Sequence, residues 1–402
     1  MILSFDASQE LSVAFAAIAC IAAVALIVIY IPMLRRLYHA LSDSPAPESG
    51  TLPVSVIVYT YANSKGLEEV IKALHEQHYD GSKEIIVVND GKDNGVEDFL
   101  TTVENTYPGL RRTFTPYDTR NISRKKLALT LGIKAAHNPI VLFLTSESRL
   151  PGPCWLSSMT APFHDREIDL VLGYAGPGAS DTESHRLSRG MRHDILVGDM
   201  EWLSDAIDGK PWRGDGDNIG IRRSMFFNNM GFGNSLNLQY GDDDVFVSEV
   251  ATGSNTAVVL SPDSRVSTEA PDDTPGYYRI KRERHRLMEG FCSKRPNTRI
   301  AATYVLPWIW LLSTIAASVC ILGMSGGAFS GTNTAFSCAV LGGIALAGIA
   351  LWSILGIAFN RVEMALEQRH LRWSLPYALL SRPIRRWSWH RRKAPRSWQQ
   401  PR

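Results

Sequence analysis

The sequence lacks the cysteine and histidine patterns that form disulfide frameworks or bind zinc. Its 402 residues include five cysteines and ten histidines. No two cysteines have a CxxC or zinc-type spacing, and the histidines form neither HExxH nor HxxxH. The chain therefore gives no indication of a disulfide framework or of a histidine-based metal centre.

Charge is also scarce and unevenly distributed. Only 20% of the residues are Asp, Glu, Lys or Arg, and the formal net charge is +2. Residues 361–402 carry eleven Lys and Arg against two Glu, a net charge of +9, so the rest of the chain has a net charge of −7. A nucleic-acid-binding protein would spread its positive charge over the phosphate-contacting surface, and we exclude that class. A basic segment beside an apolar helix favours a membrane surface instead.

Long uncharged runs are present at three places, namely Leu11–Met33, Ala301–Met324 and Ala335–Phe359. Each run is long enough to cross the roughly 30 Å hydrocarbon layer as a helix. The first run lacks the basic n-region of a signal peptide, because Asp6 and Glu10 precede it. We therefore predict an integral membrane protein whose first helix is an uncleaved anchor.

Basic residues at the ends of these runs predict the orientation of the chain. Arg35 and Arg36 follow the first run, and Lys294 and Arg295 precede the second. The positive-inside rule therefore places the segment between them in the cytosol, with the membrane being an inner or plasma membrane. The predicted organisation is a short non-cytoplasmic N-terminus (1–10), a transmembrane helix (11–33), a linker (34–52), a cytoplasmic domain (53–300), two further transmembrane helices (301–324 and 335–359) and a basic cytoplasmic tail (360–402).

The cytoplasmic segment begins with alternating strand and helix patterns. Compact β-branched runs predict strands, and apolar residues at helical spacing predict helices between them. The predicted strands are 53–60, 83–90 and 139–145, and the predicted helices are 65–77, 96–107 and 124–136. This alternation predicts an α/β fold with a mainly parallel sheet and functional residues at the carboxyl ends of its strands. Residues 150–300 have a less regular, glycine-rich pattern and are predicted to be mostly loop.

Polar residues follow the first two predicted strands. Tyr59-Thr60-Tyr61 ends the first, and Asn89-Asp90-Gly91 ends the second. An aromatic ring can cover a nucleotide base, and a carboxylate can accept hydrogen bonds from a base or a ribose, although the second sequence would also suit a plain turn. Neither GxGxxG nor GxxxxGK[ST] follows these strands, which argues against a dinucleotide or P-loop site.

Acidic and basic residues further along the chain suggest chemistry. Glu147 follows the third strand and could help to hold a divalent cation. The sequence 242–244 contains three adjacent aspartates, whose mutual repulsion should raise a pKa towards the range useful for a general base. A solvated acidic turn is the alternative. The basic run 281–286 could clamp a diphosphate or bind lipid headgroups.

Six segments, in this order, resemble motifs of a known family. They are PVSVIVYTYAN (similar to PVSVIIPxYNE), EIIVVNDGKDN (EIIVVDDGSxD), RKKLALTLG (GKxxALNxG), VLFLTSESRLPGPCWL (LDADxxPxxxWL), GDDDVF (the TED or GDD motif) and KRERH (QxxRW). On these motifs the chain is identified as a member of the membrane-anchored family 2 glycosyltransferases, which are related to cellulose and hyaluronan synthases and ceramide glucosyltransferases. The resemblance implies a GT-A domain that uses a nucleotide sugar, commonly a UDP-sugar, with Mg²⁺ or Mn²⁺.

The resemblance also implies roles for individual residues. The nucleotide contacts would be Thr60, Tyr61, Asp90 and Lys125. The metal motif retains one carboxylate, Glu147, because serines stand where the family has its two aspartates. Asp243, with Asp242 beside it, would be the catalytic base. Arg284 and Lys281 would lie near the diphosphate.

The implied reaction is inverting transfer of a sugar to a membrane-associated, lipid-linked or glycan acceptor, as in polysaccharide biosynthesis of the cell envelope. Three apolar runs are too few to enclose a polymer channel, so limited sugar transfer is favoured unless the chain oligomerises or joins a synthase complex. The alternative is a non-catalytic, glycosyltransferase-like membrane protein that binds a nucleotide sugar or scaffolds a partner enzyme.

Overall fold

A computed structural model of the protein describes nine stretches of the chain. They are residues 3–42, 50–61, 64–90, 94–103, 106–116, 122–177, 187–269, 274–325 and 331–367. The chain divides into two compact units. Among the described residues, one unit is formed by those within 3–38 and 296–367, and the other by those within 39–295.

The helices and strands of the described residues are numbered in chain order. The helices are α1 (Leu3–Ser42), α2 (Ser64–His75), α3 (Asn94–Val103), α4 (Arg124–Ala135), α5 (Trp155–Thr160), α6 (Arg189–Ile207), α7 (Arg223–Asn228), α8 (Asp244–Val250), α9 (Thr274–Met288), α10 (Asn297–Ser325) and α11 (Gly331–Glu367). The strands are β1 (Val54–Thr60), β2 (Lys83–Asn89), β3 (Leu110–Phe114), β4 (Ile140–Thr145), β5 (Ser148–Arg149), β6 (Leu170–Gly173), β7 (Ala175–Pro177), β8 (Ile219–Arg222), β9 (Thr256–Val259) and β10 (Val266–Thr268).

Three helices, α1, α10 and α11, contain the uncharged runs. Their segments Gln9–Ser42, Asn297–Leu322 and Ala335–Glu367 are long and apolar enough to cross a membrane. Helix α1 continues to Ser42, so the first part of the predicted linker 34–52 is helical. Buried leucines at 34, 37 and 41 keep the helical spacing there.

Helix α11 likewise runs past the predicted end of the third apolar run. It ends at Glu367, so the beginning of the predicted tail 360–402 is helical. The remainder of that tail lies outside the described residues, as do positions 43–49 of the predicted linker. The charge pattern of these two segments therefore stays a sequence-based observation.

The second unit is built on a mixed, mainly parallel sheet, as predicted. Its strand order is β3-β2-β1-β4-β8-β6-β9. Strands β1 to β4 are parallel to one another, whereas β8 runs antiparallel to both β4 and β6. All seven residues of β1 are buried, which is typical of a central strand covered on both faces. A second sheet has the order β5-β10-β7.

The register of the large sheet brings the ends of three strands to one edge. Thr60 at the end of β1 pairs with Asn89 at the end of β2, and Tyr59 pairs with Thr145 at the end of β4. Residues that follow these strands therefore leave the sheet side by side. The predicted functional edge is present, because parallel strands end at the same side of a sheet.

The predicted strands and helices of residues 53–145 are confirmed, with helix α3 ending earlier than expected. The sequence interpretation missed strand β3, in which Leu110 is the one buried residue and two adjacent arginines follow it. The expectation that residues 150–300 are mostly loop is wrong. Helix α6 is 19 residues long and α9 is 15. Charged side chains interrupt the apolar periodicity of both helices, and Asp194 of α6 forms an ion pair with Arg282 of α9.

Candidate active site

A cavity of about 300 Å³ opens at the carboxyl ends of β1 and β4. It lies entirely within the second unit of the chain. Seven of the predicted site residues contribute to its wall, namely Tyr61, Lys125, Glu147, Asp242, Asp243, Lys281 and Arg284. Thr60 and Asp90 are not part of the described wall, since both are almost completely buried. The fold thus brings together residues as distant in the sequence as Tyr61 and Arg284.

Asp90 holds two neighbouring side chains at the edge of the cavity. Its carboxylate accepts a hydrogen bond of 2.8 Å from the Tyr59 hydroxyl and forms an ion pair of 2.8 Å with Arg124. Burial raises the pKa of Asp90, while Tyr59 and Arg124 oppose that shift. The groups presented to the cavity are therefore the ring of Tyr59 and the guanidinium of Arg124, rather than Asp90 itself.

Asp243 is fixed at the start of helix α8. Its Oδ1 accepts the backbone N–H of Asp244 at 2.8 Å, and its Oδ2 accepts the backbone N–H of Gly216 at 3.1 Å. The turn before it needs a glycine, because Gly241 has φ +92° and an added Cβ would lie 2.6 Å from the side chain of Val245. The two N–H donors set the orientation of the carboxylate.

The expectation that adjacent carboxylates raise the pKa of the base is wrong for Asp243. Burial by itself would raise this pKa, but the positive charges of His285 and Lys125 and the backbone N–H of Asp244 hold it well below its usual range. Asp243 is therefore ionised at neutral pH. The pKa that does rise is that of Asp244, because burial outweighs its positive neighbours.

Asp244 links the start of α8 to two cations. Its carboxylate lies 2.6 Å from Nδ1 of His285 and 3.0 Å from Nε of Arg213. Beside it, the carboxylate of Asp242 forms an ion pair of 2.7 Å with Lys125 of helix α4. Each of the three consecutive aspartates thus has its own partners, which is why the acidic run can be buried without mutual repulsion dominating.

Helix α4 also fixes the loop that leads to the aspartates. Ser123 caps α4 and donates a hydrogen bond of 2.7 Å to the carbonyl of Gln239. The fully buried Lys126 donates to the carbonyl oxygens of Ser235 and Leu238 at 2.6 and 3.3 Å. Burial lowers the pKa of Lys126 to about 8. One helix therefore holds both the loop and, through Lys125, the aspartates.

Helix α9 supplies the basic wall of the cavity. The Nζ atom of Lys281 lies 2.9 Å from Asp215 and 2.8 Å from Asp217. The guanidinium of Arg284 lies over the ring of Tyr240, with 5.0 Å from its central carbon to the ring centre. Its Nε has no hydrogen-bond partner within the described part of the chain. Arg284 is thus a cation of this wall with donors to offer a ligand.

The predicted metal motif contributes one carboxylate to the cavity, that of Glu147. Ser148 accepts the backbone N–H of Thr145 at 3.0 Å, and Ser146 donates to Glu147 at 3.2 Å, so both serines are engaged inside the turn. A second group could hold a metal ion. Asp243, Asp244 and His285 offer ligand atoms that all lie within 4.8 Å of one another.

Comparison with known proteins gives a family match for part of the chain. Residues 55–227 match the model of glycosyl transferase family 2. The matched range runs from β1 to α7 and includes Glu147, Asp215 and Asp217, and it ends before the aspartates at the start of α8. The match supports glycosyl transfer as the activity of this domain.

A solved structure of similar architecture supports the same fold. The mannosyltransferase PcManGT of Pyrobaculum calidifontis, solved with GDP-Man and Mn²⁺, is 17% identical with a TM-score of 0.51, over 90% of this chain and 99% of that one. Glucosyl-3-phosphoglycerate synthase of Mycobacterium tuberculosis, solved with Mn²⁺ and UDP, is 15% identical with a TM-score of 0.40, over 64% of this chain and 84% of that one. A comparison with curated proteins found none that matches. The likeness to PcManGT therefore shows a GT-A-like α/β fold.

Sequence reasoning missed several residues of the second unit's cavity and its surroundings. Arg124 and Tyr240 line the cavity, and Asp215 and Asp217 hold Lys281. One signal was available, since the sequence 215–217 has two carboxylates separated by a single glycine, a spacing that suits a metal-binding pair. It lay in a segment interpreted as glycine-rich loop. No local pattern marked Tyr240.

Proposed function

We propose that this protein is a membrane-bound inverting glycosyltransferase that moves a hexose from a nucleotide sugar of the UDP type to a membrane-associated, lipid-linked or glycan acceptor. One observation carries the proposal: the Asp243 carboxylate and the Arg284 guanidinium line the same cavity, at the edge where the parallel strands end. The first is suited to accept a proton, and the second to stabilise a leaving diphosphate. The family match supports this class of reaction.

Asp243 acts as the base in this proposal. Its low pKa keeps it ionised, and its two backbone N–H donors hold it in one orientation. It accepts the proton of the acceptor hydroxyl while that oxygen forms a bond to the anomeric carbon. The bond to the diphosphate breaks on the opposite face, so the anomeric configuration is inverted.

Positive side chains on the cavity wall receive the departing diphosphate. Arg284 offers several N–H donors in a planar group that suits phosphate oxygens. Lys125 adds a second charge near the aspartates, where its ion pair with Asp242 fixes it. These two groups lower the free energy of the transition state because negative charge accumulates on the leaving oxygen.

The nucleotide base would lie at the end of the cavity formed by β1. Tyr61 is half exposed there and offers a ring face for stacking. Arg124 and Tyr59, both held by Asp90, add polar groups beside it. In this proposal Asp90 and the buried Thr60 position the base-contacting residues.

A divalent cation has two sets of oxygen and nitrogen ligands available among the described residues. They are Glu147 of the altered metal motif, and the group formed by Asp243, Asp244 and His285. Carboxylates are the ligands that Mg²⁺ and Mn²⁺ prefer. When bound, such a cation would supply positive charge for the diphosphate. A cation at Glu147 would leave the Asp243 carboxylate free to accept the proton, whereas one held by Asp243 itself would not.

The three apolar helices would anchor the domain beside its acceptor. The basic residues that flank them favour a cytoplasmic position for the glycosyltransferase domain and for the tail. An acceptor in the same membrane would then meet the cavity from a restricted volume, which raises its effective concentration. Association with further copies or with a synthase complex would be needed for polymer export.

A second candidate function is nucleotide-sugar binding without transfer. The observation that favours it is the turn 146–148, where two serines are hydrogen-bonded inside the turn in place of metal-binding aspartates. Such a protein could scaffold a partner enzyme. It would have no need for a fixed, ionised Asp243 beside Arg284.

The test measures nucleotide release from a panel of sugar nucleotides by the detergent-purified full chain. Membrane lipid extract is present as acceptor, with and without Mn²⁺. We expect turnover of one donor, and the Asp243→Asn variant should lose about 10²- to 10⁴-fold in rate, as expected for removal of a general base. The matched control is Glu249→Gln, an exposed acid on the same helix α8, which should keep full activity.

The outcome also separates the two candidate functions. Donor binding without turnover, unchanged by Asp243→Asn, would favour the binding protein. Turnover that survives Asp243→Asn would remove Asp243 as the base while leaving the transferase. If the protein turns over a single sugar nucleotide of the panel, that result identifies both the sugar and the nucleotide base of the donor.

A further inference from the structure

Lys281 is a basic side chain of the cavity wall that two carboxylates hold in place. Its Nζ atom lies 2.9 Å from Asp215 and 2.8 Å from Asp217. Both aspartates are almost fully buried, and the lysine side chain itself is only 15% exposed. Burial alone would lower the pKa of Lys281, but Asp215 and Asp217 outweigh it and raise this pKa well above its ordinary value. The ammonium therefore stays charged.

The turn that holds Lys281 also holds the proposed base. The backbone N–H of Asp217 donates to Asp215 at 3.2 Å, which closes the turn around the two carboxylates. Between them, the N–H of Gly216 donates to Asp243 at 3.1 Å. The turn 215–217 therefore fixes the Lys281 ammonium through the side chains of Asp215 and Asp217. It also fixes the Asp243 carboxylate through the backbone N–H of Gly216.

Lys281 shares the cavity wall with the altered metal motif. Its partner Asp217 accepts hydrogen bonds from the hydroxyl of Thr268 at 3.5 Å and from that of Tyr277 at 3.2 Å. Thr268 of β10 pairs directly with Ser148 of β5. Glu147, Asp217 and Lys281 all line the cavity. The chain thus has serines instead of carboxylates at 146 and 148. Two other carboxylates, those of Asp215 and Asp217, hold the ammonium of Lys281.

We propose that Lys281 is a built-in cation of the donor site, positioned by Asp215 and Asp217, and that its ammonium binds the diphosphate of the nucleotide without a divalent metal. An ammonium has three N–H donors. The two carboxylates account for two of them, which leaves one for a phosphate oxygen in the cavity. Asp215 and Asp217 are positioning residues, since they act through Lys281.

This inference rests on the proposed function, because it requires that the cavity bind a nucleoside diphosphate. It is independent of any metal at Glu147 or at Asp243, Asp244 and His285. It also differs from a purely structural role for Lys281. If Lys281 served only to dock α9, loss of another α9 ion pair would have the same effect on nucleotide binding.

The chain offers a matched control for that alternative. Arg282, the next residue of α9, forms an ion pair of 2.9 Å with Asp194 and is not among the described residues of the cavity wall. The experiment measures binding of UDP and of GDP to the full chain in detergent by calorimetry, in EDTA and then in Mn²⁺. The variants are Lys281→Met, Lys281→Gln, Lys281→Arg and Arg282→Met, and the melting temperature of each reports folding.

We expect the unmodified protein to bind one nucleotide in EDTA. Lys281→Met and Lys281→Gln should bind it about 10- to 100-fold more weakly, the effect of losing a charged hydrogen bond. Lys281→Arg keeps the charge and should stay within about threefold, and Arg282→Met should be unchanged. The Gln variant keeps an amide NH₂ group, with two N–H donors for the aspartates, so it tests the charge if the Met variant does not fold.

Three results would overturn the inference and leave the proposed function intact. They are binding that requires Mn²⁺ in the unmodified protein, unchanged binding by the neutral variants, and equal losses in Lys281→Met and Arg282→Met. The last would assign Lys281 to the docking of α9. Absence of nucleotide binding in both EDTA and Mn²⁺ would remove the proposed function and this inference with it.

Discussion

Residues 54–145 and 187–288 of the same unit are stabilised in different ways. The first region consists of parallel strands and covering helices, with an apolar core that includes Val56 on β1, Leu74 on α2 and Leu142 on β4. The second region buries charged side chains instead. Six of its carboxylates, those of residues 199, 201, 205, 215, 217 and 244, are each at most 5% exposed.

The difference shows how a functional site can be built on an ordinary sheet. Apolar burial is non-directional, so it stabilises the first region without fixing any chemistry. Buried ion pairs require defined partners at short distances, and each loss of a partner leaves an uncompensated charge. The second region therefore gains specificity of geometry at a cost in stability.

Of the variants that compare the two regions, Arg213→Met should cause the largest loss in the free energy of unfolding. The change leaves Asp244 with His285 as its remaining cationic partner among the described residues, and we expect a loss of about 3 to 5 kcal/mol in the free energy of unfolding. The apparent melting temperature in detergent measures it. Adding Asp244→Asn should restore part of the loss, because the buried charge is then gone. An unaffected melting temperature in Arg213→Met would show that this pair is not structural.

Leu142→Ala gives the matching change in the apolar region. Leu142 is fully buried at the centre of β4, so we expect a loss of about 2 to 5 kcal/mol in the free energy of unfolding. The loss should be the same at pH 5 and pH 8, since no titrating group is removed. A strong pH dependence of the difference in melting temperature between this variant and the unmodified protein would contradict the contrast between the two regions.

Asp199→Asn should have the smallest effect, and it should raise the free energy of unfolding instead of lowering it. Burial is the main cause that raises the pKa of Asp199 to about 6, so the folded state binds a proton more readily than the unfolded state. The stability that this proton contributes is present below about pH 4 and is lost as the pH rises through about 6. The variant, which is neutral throughout, should be about 2 kcal/mol more stable than the unmodified protein at pH 7.5.

A series of melting temperatures from pH 4 to pH 8 checks this expectation. The advantage of Asp199→Asn should grow with pH and be near zero at pH 4. The amide keeps an oxygen for the indole N–H of Trp202, which donates to Asp199 at 3.2 Å. If the variant is less stable than the unmodified protein at pH 7.5, the attraction between Arg213 and the ionised Asp199 outweighs the cost of burying that charge.

Sequence patterns predicted the first region well. Its strands are compact β-branched runs, and residues such as Leu67 and Val70 mark the buried face of a helix. Six motifs also indicated most of the cavity wall, from Tyr61 to Arg284. The same reasoning failed for α6 and for the pKa of Asp243. Both depend on which charged side chains meet, and this has no local signature in the chain.

The sequence by itself determined the α/β order, the three apolar helices and the identity of the residues available for chemistry, because periodicity and composition act locally. Tertiary structure alone decided the partners. It placed Lys281 between Asp215 and Asp217, which are remote from it in the sequence, and it gave Asp243 a low pKa through His285 and Lys125. Electrostatic interactions depend on distance in space, and short distances between remote residues exist only once the chain has folded.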